Sequence, residues 1–530
     1  MRETFHIIMS MYDSYNGTGM QPALCFACLI YLMVQKKEKE KRFLFLGYTL
    51  LFFIICFFPL TAKAVMRVCT GEEMYWRMFW LLPSAIITAY TAVVILMQAD
   101  GKIKRYLLLS VMLLVIVMTG TNVYSGAVFE RKQNHYNLPQ AAMNICDIVE
   151  QDAKADGITH KKLIAAHEIL SSVRQYDADI LQPYGYDVLC GGKPDTEAAA
   201  QIYRIMDAEE KNWEALGFYA AMDDCNYLAY PAAEGDIEGL TDCGFDIVGA
   251  EEEYYIYRRD DGKERYKGRW LITQYGLGEG QQLMFYTMQD LEGHLIVVDG
   301  GWTTDADNVR EIITRLGSHV DAWILTHPHP DHIGAFTELY KNLGSIKIDK
   351  VYTVDMAEPE VCLETAPWDD TAIYEEFKKL DIPQLTYVYA GDTFEIKGLA
   401  VEVLNAYDDN VKKLSEDLLN DGSMMFRVTA KEESMLFCAD VGRDMSDYLL
   451  KTYGDDLKSD YIQMGHHGNG GLKSDFYKMV RAKKAFFDAP DWLMNDKSGR
   501  YTTMKNTYLM ASNGAKIYSF STAPNQMILK

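Results

Sequence analysis

The chain has 530 residues, which is too many for one hydrophobic core and predicts about three structural units. Residues 1–125 carry 12 Lys and Arg against 7 Asp and Glu, whereas the whole chain has a net charge of −23. The acidic charge therefore lies beyond residue 125, where it argues against broad, non-specific binding of nucleic acid.

Four apolar stretches with few charges occupy the N-terminal part, near residues 20–34, 43–65, 79–97 and 106–126. Because a bilayer core requires about 20 apolar residues in a helix, they predict a four-helix transmembrane anchor over residues 1–126 that contacts membrane lipid. The loops at 35–42 and 101–105 hold five and three basic residues, so both are expected to be cytoplasmic. Residues 127–530 would then be extracytoplasmic, on a multi-pass protein of the cell membrane.

Residues 127–262 predict a small α/β accessory domain. Residues 127–138 read as a linker, and helical periods at 141–153, 162–173 and 196–216 follow. They alternate with strand-like runs at 226–230, 244–248 and 254–257. Nothing in this region assigns it a chemistry.

From about residue 266 the sequence pattern changes, and short strand-like runs predominate. Residues 283–287 and 294–299 flank a turn and predict a hairpin. Helices are expected near 307–316 and 333–343. Further strands are expected at 322–326, 350–354, 385–389, 400–404, 424–429 and 434–439.

The sequence THPHPDH at 326–332 places four potential metal ligands within six residues. His327 and His329 are two residues apart, so in an extended loop they face the same side and can share one ion. As the chain turns into a helix, Asp331 and His332 move toward a second position. Imidazoles with a carboxylate suit Zn²⁺, Mn²⁺ or Fe.

Three further segments can complete a two-metal site. Asp440 follows a strand-like run and could bridge two ions, and His466 and His467 lie in MGHHGNG. Asp299 ends the run LIVVD, and we expect it to hold the histidine loop rather than to bind metal directly.

These motifs resemble the metallo-β-lactamase fold, and within it the C-terminal domain of the ComEC/Rec2 competence proteins. The resemblance implies an α/β, αββα sandwich hydrolase domain over residues 266–530. Six stretches carry it in family order: GLGEGQQ (276–282), VDGG (298–301), THPHPDHIGAF (326–336), NDGS (420–423), AD (439–440) and HHGN (466–469).

The sequence departs from the family at three points: Gln281 replaces the usual Asp, Asn469 replaces Ser, and no histidine occurs between residues 333 and 465. The competence-like branch has NxxS instead of that histidine, which implies that Asn420 and Ser423 neighbour the site. The resemblance gives metal one the ligands His327, His329 and Asp440, one fewer than is usual. It gives metal two the ligands Asp331, His332, Asp440 and either His466 or His467.

The resulting hypothesis is a metal-dependent hydrolase that uses two divalent ions, Zn or Mn, and a metal-bound hydroxide. Asp331 would orient the hydroxide, and the histidine that is not a ligand, taken as His467 with His466 on the metal, would act as general acid. The resemblance favours a phosphodiester substrate, either extracellular nucleic acid or a phosphate-linked wall polymer. The alternative is a non-catalytic surface receptor, or an accessory subunit of a DNA-uptake system, that retains the metal site. No protein partner can be inferred.

Overall fold

A computed structural model of the protein describes residues 2–17, 19–35, 39–72, 74–120, 134–231, 237–278 and 280–530. The chain forms two compact units, Met1–Lys132 and Gln133–Lys530. Each unit has its own buried core, and each is described separately below.

The first unit is helical. A π-helical turn at Met66–Thr70 and a 3₁₀ segment at Tyr75–Leu81 interrupt the α-helices, and the buried Tyr75 hydroxyl donates to the Cys56 carbonyl over 2.8 Å. The α-helices are α1 (Arg2–Asn16), α2 (Gln21–Val34), α3 (Lys39–Cys56), α4 (Pro59–Val65), α5 (Ser84–Met97) and α6 (Lys102–Thr119).

The prediction of four membrane spans requires correction. Within the described ranges, one helix, Tyr75–Met97, is long and apolar enough to cross a membrane, with a mean hydropathy of 2.0 over its most apolar 18 residues. Two pairs of helices bent by 97° and 76° would raise the number to three if each pair is one span. Helix α6 has 18 residues and begins with three basic side chains, and the rest of the fourth predicted span, 121–126, lies outside the described residues, as does 127–133 of the predicted linker.

The second unit begins with a five-stranded sheet of order β2-β1-β3-β5-β4. Its strands are β1 (Lys161–Ala165), β2 (Ile180–Leu181), β3 (Tyr227–Pro231), β4 (Asp246–Glu251) and β5 (Tyr254–Arg258). Its helices are α7 (Gln140–Ala155), α8 (His167–Tyr176), α9 (Tyr186–Leu189), α10 (Glu197–Asp207), α11 (Trp213–Met222) and α12 (Ile237–Asp242).

Two of the predicted helices in this region are wrong. The helix expected at 162–173 is strand β1 followed by α8, because a short buried apolar run has no period that separates strand from helix. The helix expected at 196–216 is two helices. The side chains of Thr196 and Asn212 each accept a hydrogen bond, over 3.1 Å, from an amide in the first turn of α10 and α11, respectively, and thereby fix two separate starts.

The remainder of the unit contains two seven-stranded sheets. The first has the order β13-β12-β10-β8-β7-β6-β21, and the second has the order β14-β15-β16-β17-β18-β19-β20. A small pair, β9 (His319–Val320) and β11 (Lys347–Ile348), lies apart. Both large sheets contribute to a single buried core, in which Tyr286 of the first sheet packs edge-on against Phe437 of the second, with ring centroids 5.3 Å apart. This two-sheet α/β arrangement agrees with the expected fold class.

The first sheet contains β6 (Trp270–Gln274), β7 (Phe285–Gln289), β8 (Leu295–Asp299), β10 (Ala322–Ile324), β12 (Val351–Val354), β13 (Leu385–Val388) and β21 (Asn525–Leu529). The second contains β14 (Thr393–Ile396), β15 (Leu399–Asn405), β16 (Met425–Thr429), β17 (Ser434–Phe437), β18 (Tyr461–Gln463), β19 (Lys484–Phe486) and β20 (Lys516–Tyr518). The helices are α13 (Ala306–Arg315), α14 (Pro330–Tyr340), α15 (Pro359–Thr365), α16 (Ala372–Phe377), α17 (Asp409–Leu414), α18 (Leu418–Asp421), α19 (Ser446–Tyr453), α20 (Ser474–Val480), α21 (Asp491–Met494) and α22 (Thr503–Ser512).

The cores of the two α/β regions meet at the edge of the first sheet. Leu271 of β6 and Ile528 of β21 are buried in the core of the region built on β1–β5, although both strands belong to the other sheet. Asn212 also donates to the Gln526 carbonyl over 2.9 Å. The strands β6 and β21 therefore serve both regions.

We predict that Leu271→Ala destabilises the whole unit rather than the first sheet alone. The cavity should lower the free energy of unfolding by about 2–5 kcal/mol, because the side chain is fully buried between two regions. Chemical denaturation of the full chain, followed by tryptophan fluorescence, measures this. Ile247→Ala, at a side chain that is 43% exposed, is the matched control and should have little effect. Equal effects of the two changes would contradict a shared core.

Candidate metal centre

The predicted site residues converge at one edge of the second unit. Asp299 ends β8, the histidine loop follows β10, Asp440 follows β17, and the two later histidines follow β18. The strands β8 and β10 run parallel in one sheet, and β17 and β18 run parallel in the other. Carboxyl ends of parallel strands are the usual position of sites in α/β folds, and here two sheets contribute to one site.

Asp299 fixes the start of the histidine loop. Its Oδ1 accepts the Thr326 amide over 2.8 Å, and its Oδ2 accepts the Thr326 hydroxyl and pairs with His332 Nδ1, both over 2.7 Å. The Trp323 indole donates to the Asp299 carbonyl over 2.9 Å. This network leaves Nε2 of His332 free to face the centre of the site.

The histidine loop brings the first two histidines together. Nε2 of His327 lies 3.0 Å from Nδ1 of His329, and Pro330 then begins α14 at a position where proline is favoured. Asp331 lies in the first turn of that helix, and its carbonyl accepts the Met284 amide over 3.1 Å. The loop is thus fixed on both sides of the predicted ligands.

Asp440 lies at the centre of the cluster. Its carboxylate is 3.3 Å from His332 Nε2, 3.4 Å from His467 Nε2 and 3.9 Å from His327 Nε2. His467 Nε2 is also 3.1 Å from Asp331 Oδ2. Two overlapping ligand groups result: His327, His332 and Asp440; and Asp331, His332 and His467.

The two adjacent histidines occupy different environments. The His467 side chain is fully buried, whereas that of His466 is 34% exposed and its Nε2 lies 3.8 Å from Asp440. The φ angles of His466 and His467 are positive, at 50° and 55°, respectively. Asp299 and Ala439 also have positive φ angles. Such strained backbone clusters at functional sites. The geometry favours His467 as the ligand and His466 as the histidine that contacts solvent, the reverse of the assignment made from sequence.

The electrostatics of the cluster are those of tightly coupled charges. Burial alone would lower the pKa of His467, but Asp440 and Asp331 raise it to about 10. Burial likewise lowers the pKa of His332, but the nearby Asp440 and Asp299 outweigh burial and raise that pKa. The pKa of Asp440 is lowered, against its burial, by the surrounding histidines. The site therefore concentrates charge that would be costly to bury without a counter-ion.

The donor set fits divalent metal. Zn–N and Zn–O bonds of about 2.0–2.2 Å at tetrahedral angles place ligand atoms about 3.3–3.6 Å apart, close to the separations around Asp440. A lone pair on a buried nitrogen or oxygen needs a cation or a donor, and a buried N–H needs an acceptor. Several buried atoms here have no hydrogen-bond partner among the residues that the structure describes. They are His332 Nε2, His467 Nδ1 and Nε2, and Asp440 Oδ1.

The segment 420–423 lies beside the histidine loop. The Met424 amide donates to the Thr326 carbonyl over 2.8 Å, which places Ser423 and Asn420 next to the loop. Within the described ranges, Ser423 Oγ and Asn420 Oδ1 are buried and have no hydrogen-bond partner. Asn469, in contrast, accepts the Thr502 amide over 3.0 Å and so helps to hold its own loop.

Sequence reasoning missed Asp369, whose Oδ1 lies 3.7 Å from His329 Nε2. It lies between α15 and α16, about 40 residues along the chain from the histidine loop. The only signal was the acidic pair in PWDDT after strand β12, which the sequence does not connect to the histidines.

Comparisons with known proteins show what this chain is similar to. Residues 285–348 match the sequence profile of the metallo-beta-lactamase superfamily. ComE operon protein 3 of Bacillus subtilis (strain 168) is 26% identical over 174 residues, 32% of this chain and 20% of that protein. Hydroxyacylglutathione hydrolase of Serratia proteamaculans (strain 568) is 32% identical over 68 residues, 13% of this chain and 26% of that protein. The alignments thus span about a fifth to a quarter of these relatives.

Among solved structures, the metallo-beta-lactamase fold protein YhfI from Bacillus subtilis is similar, with a TM-score of 0.32 and 14% identity. The match covers 49% of this chain and 99% of that one.

Asp421 provides a test of the segment beside the histidine loop. Its Oδ1 accepts the Gly442 amide over 2.7 Å, and burial raises the pKa of its carboxyl from 3.8 to about 6. The folded state therefore prefers the protonated form, so the associated stability is complete below pH 3.8 and is lost as the pH rises through 6.

We predict that Asp421→Asn removes this loss, because an amide oxygen can still accept the Gly442 N–H. Relative to wild type, the variant should gain on the order of 3 kcal/mol of unfolding free energy between pH 4 and pH 7. Denaturation with EDTA present at both pH values measures the difference. Asp475→Asn, at an exposed carboxylate in the first turn of α20, should show no such gain. A constant difference between Asp421→Asn and wild type would contradict the prediction.

Proposed function

Because the chain carries a metallo-β-lactamase-fold domain and is ComEC-like, we propose that it is a metal-dependent hydrolase that cleaves phosphodiester bonds. The observation that carries the proposal is the buried cluster of His332, His467 and Asp440. The facing nitrogen and oxygen atoms of this cluster and of Asp331 lie 3.1–3.4 Å apart. Among the described residues, His332 Nε2, His467 Nε2 and Asp440 Oδ1 have no hydrogen-bond partner. A structural metal site has no need for two overlapping ligand groups around one central carboxylate.

The residues that would hold two divalent ions, Zn or Mn, are His327, His329, Asp331, His332, Asp440 and His467. When bound, such ions lower the pKa of water and stabilise charge on the substrate oxygen. Asp440 faces both ligand groups and so would hold them at a fixed separation. Asp331 pairs with His467 across the cluster, over 3.1 Å, and would orient a water molecule there.

His466 is the group that we propose for proton transfer to the leaving oxygen. It is the more exposed of the two adjacent histidines, and its ring nitrogen lies 3.8 Å from Asp440. A proton donor must come within hydrogen-bond reach of the leaving oxygen, and His466 is more accessible to a substrate than the fully buried His467. Ser423 would donate to the substrate phosphate, since its buried hydroxyl lacks a partner among the described residues. The unpartnered Asn420 Oδ1 is an acceptor and would instead face a donor or a cation.

We predict that Asp331→Ala and His467→Ala each lower turnover of bis(p-nitrophenyl) phosphate by about 100-fold or more, because each removes a group that fixes the reacting geometry. The assay uses the purified full chain with Mn²⁺ or Zn²⁺. His319→Ala, at an exposed histidine of the small strand pair, is the control and should retain activity.

Bound metal in the wild type without turnover of phosphodiesters would contradict the proposed chemistry. In that case, the receptor or DNA-uptake role would account for the retained site.

We also propose that the protein is a multi-pass membrane protein and that its second unit is extracytoplasmic. The apolar helix Tyr75–Met97 supports a membrane location, and the three basic residues within 101–105 support a cytoplasmic position for the start of α6. If α6 and the residues that follow it cross the membrane, the catalytic unit lies outside.

Fusion of reporters tests this orientation. Alkaline phosphatase fused after Lys530 should be active and green fluorescent protein at the same point should be dark, since the former folds outside and the latter inside the cytoplasm. After Arg105, a fused alkaline phosphatase should be inactive and a fused green fluorescent protein should be fluorescent. A fluorescent fusion after Lys530 would place the catalytic unit in the cytoplasm instead.

A further inference from the structure

Asp369 is a buried acidic residue beside the predicted metal-one ligands. Its side chain is 8% exposed, and Oδ1 lies 3.7 Å from His329 Nε2. Its other oxygen, Oδ2, is buried and has no hydrogen-bond partner among the residues that the structure describes. A buried carboxylate oxygen without a partner is unfavourable, so its position calls for a cation or a donor nearby.

The two nitrogens of His329 face different groups. Nδ1 lies 3.0 Å from Nε2 of His327, whereas Nε2 points to Asp369. Two ring nitrogens at that separation repel unless a proton or a cation lies between them, and co-ligands of one ion have a similar spacing. If Nδ1 binds the ion, the proton of the neutral ring is on Nε2. The Nε2–H can then donate a hydrogen bond to Asp369.

The same arrangement already exists at the other half of the site. Asp299 pairs with Nδ1 of His332 over 2.7 Å and leaves Nε2 for Asp440. Metal-binding histidines usually donate their second N–H to a carboxylate or carbonyl, which fixes the tautomer and orients the ring. The 3.7 Å separation at Asp369 exceeds hydrogen-bond length, so this pair is close but is not hydrogen-bonded in the structure.

The fold holds Asp369 in this position from both ends of its segment. Helix α16, which follows it, packs on α14, with the Phe377 and Phe336 rings 6.1 Å apart. The Tyr374 hydroxyl donates to the Met356 carbonyl over 3.2 Å, and the Asp369 amide donates to the Ala366 carbonyl over 3.1 Å. Since α14 begins immediately after His329, the same helix positions the histidine and the carboxylate.

We propose that Asp369 is a positioning residue for metal one. It accepts a hydrogen bond from the Nε2–H of His329 and thereby directs Nδ1 at the ion. This inference rests on the metal binding in the proposed function. The inference also explains how metal one could be held although the sequence lacks the additional histidine ligand expected between residues 333 and 465. A well-oriented ring of fixed tautomer binds more tightly than a free one, which offsets a missing ligand.

The test is Mn²⁺ binding by the purified full chain, measured by titration calorimetry and metal analysis, which does not depend on any substrate. Asp369→Leu removes the acceptor and should weaken one of two bound ions by about 10–100-fold. Asp369→Asn keeps an acceptor oxygen and should stay within a few-fold of wild type. Asp370→Asn is the matched control, because that neighbouring carboxylate is exposed and caps α16 through the Ala372 amide over 3.0 Å.

Thermal melts in EDTA separate this role from a purely structural one. The variants should melt like wild type without metal, and only the Mn²⁺-induced increase in Tm should be smaller in Asp369→Leu. If Asp369→Leu lowers the melt in EDTA, Asp369→Ala, which also lacks an acceptor, replaces it in the binding comparison.

Wild-type affinity for both ions in the variants without an acceptor would overturn the inference. So would an equal loss in Asp369→Asn, because Asp369 would then act as a direct ligand. Weakened Mn²⁺ binding in a protein that hydrolyses no phosphodiester would support the inference and refute only the proposed reaction.

Discussion

The two carboxylate oxygens of Asp299 accept hydrogen bonds from Thr326 and pair with His332, and these contacts join the end of β8 to the loop after β10. The direction of every candidate ligand in the loop depends on this junction, because His327 directly follows Thr326 and α14 begins only four residues later, at Pro330. The second sheet is attached to the same point through the Met424 amide, which donates to the Thr326 carbonyl. One short segment therefore contacts both sheets at the site.

The same junction brings buried groups of opposite charge together: carboxylates raise the pKa of His332 and His467, and histidines lower the pKa of Asp440. Histidines and carboxylates are buried side by side, and backbone at Ala439, His466 and His467 adopts positive φ angles that cost free energy for residues with a side chain. Such strain persists only where surrounding structure over-determines it. Here the His466 amide donates to the Ala439 carbonyl over 2.8 Å, so the two strained loops support each other. A bound cation would remove the remaining electrostatic penalty.

The sequence predicted the two-sheet domain well, because its strands are short alternating runs and its polar motifs stand at strand ends. It placed Asp299, the histidine loop and Asp440 at one edge for the same reason. It failed where local pattern is ambiguous, at β1, whose buried apolar run reads equally well as helix. It could not find Asp369, because the contact with His329 depends on how α16 packs on α14, a long-range arrangement that no local period encodes.

The acidity of the chain bears on which phosphodiester the proposed hydrolase would accept. A long polyanion would lie against a surface of like charge over many phosphates, whereas attraction from buried metal extends only about 8–10 Å in physiological salt. A substrate that presents one or a few phosphodiester groups, such as a head group or a chain end, gains that local attraction and avoids most of the repulsion. We therefore favour phosphate-linked polymer ends or head groups over extended nucleic acid as the substrate class, because net repulsion grows with each phosphate outside the site.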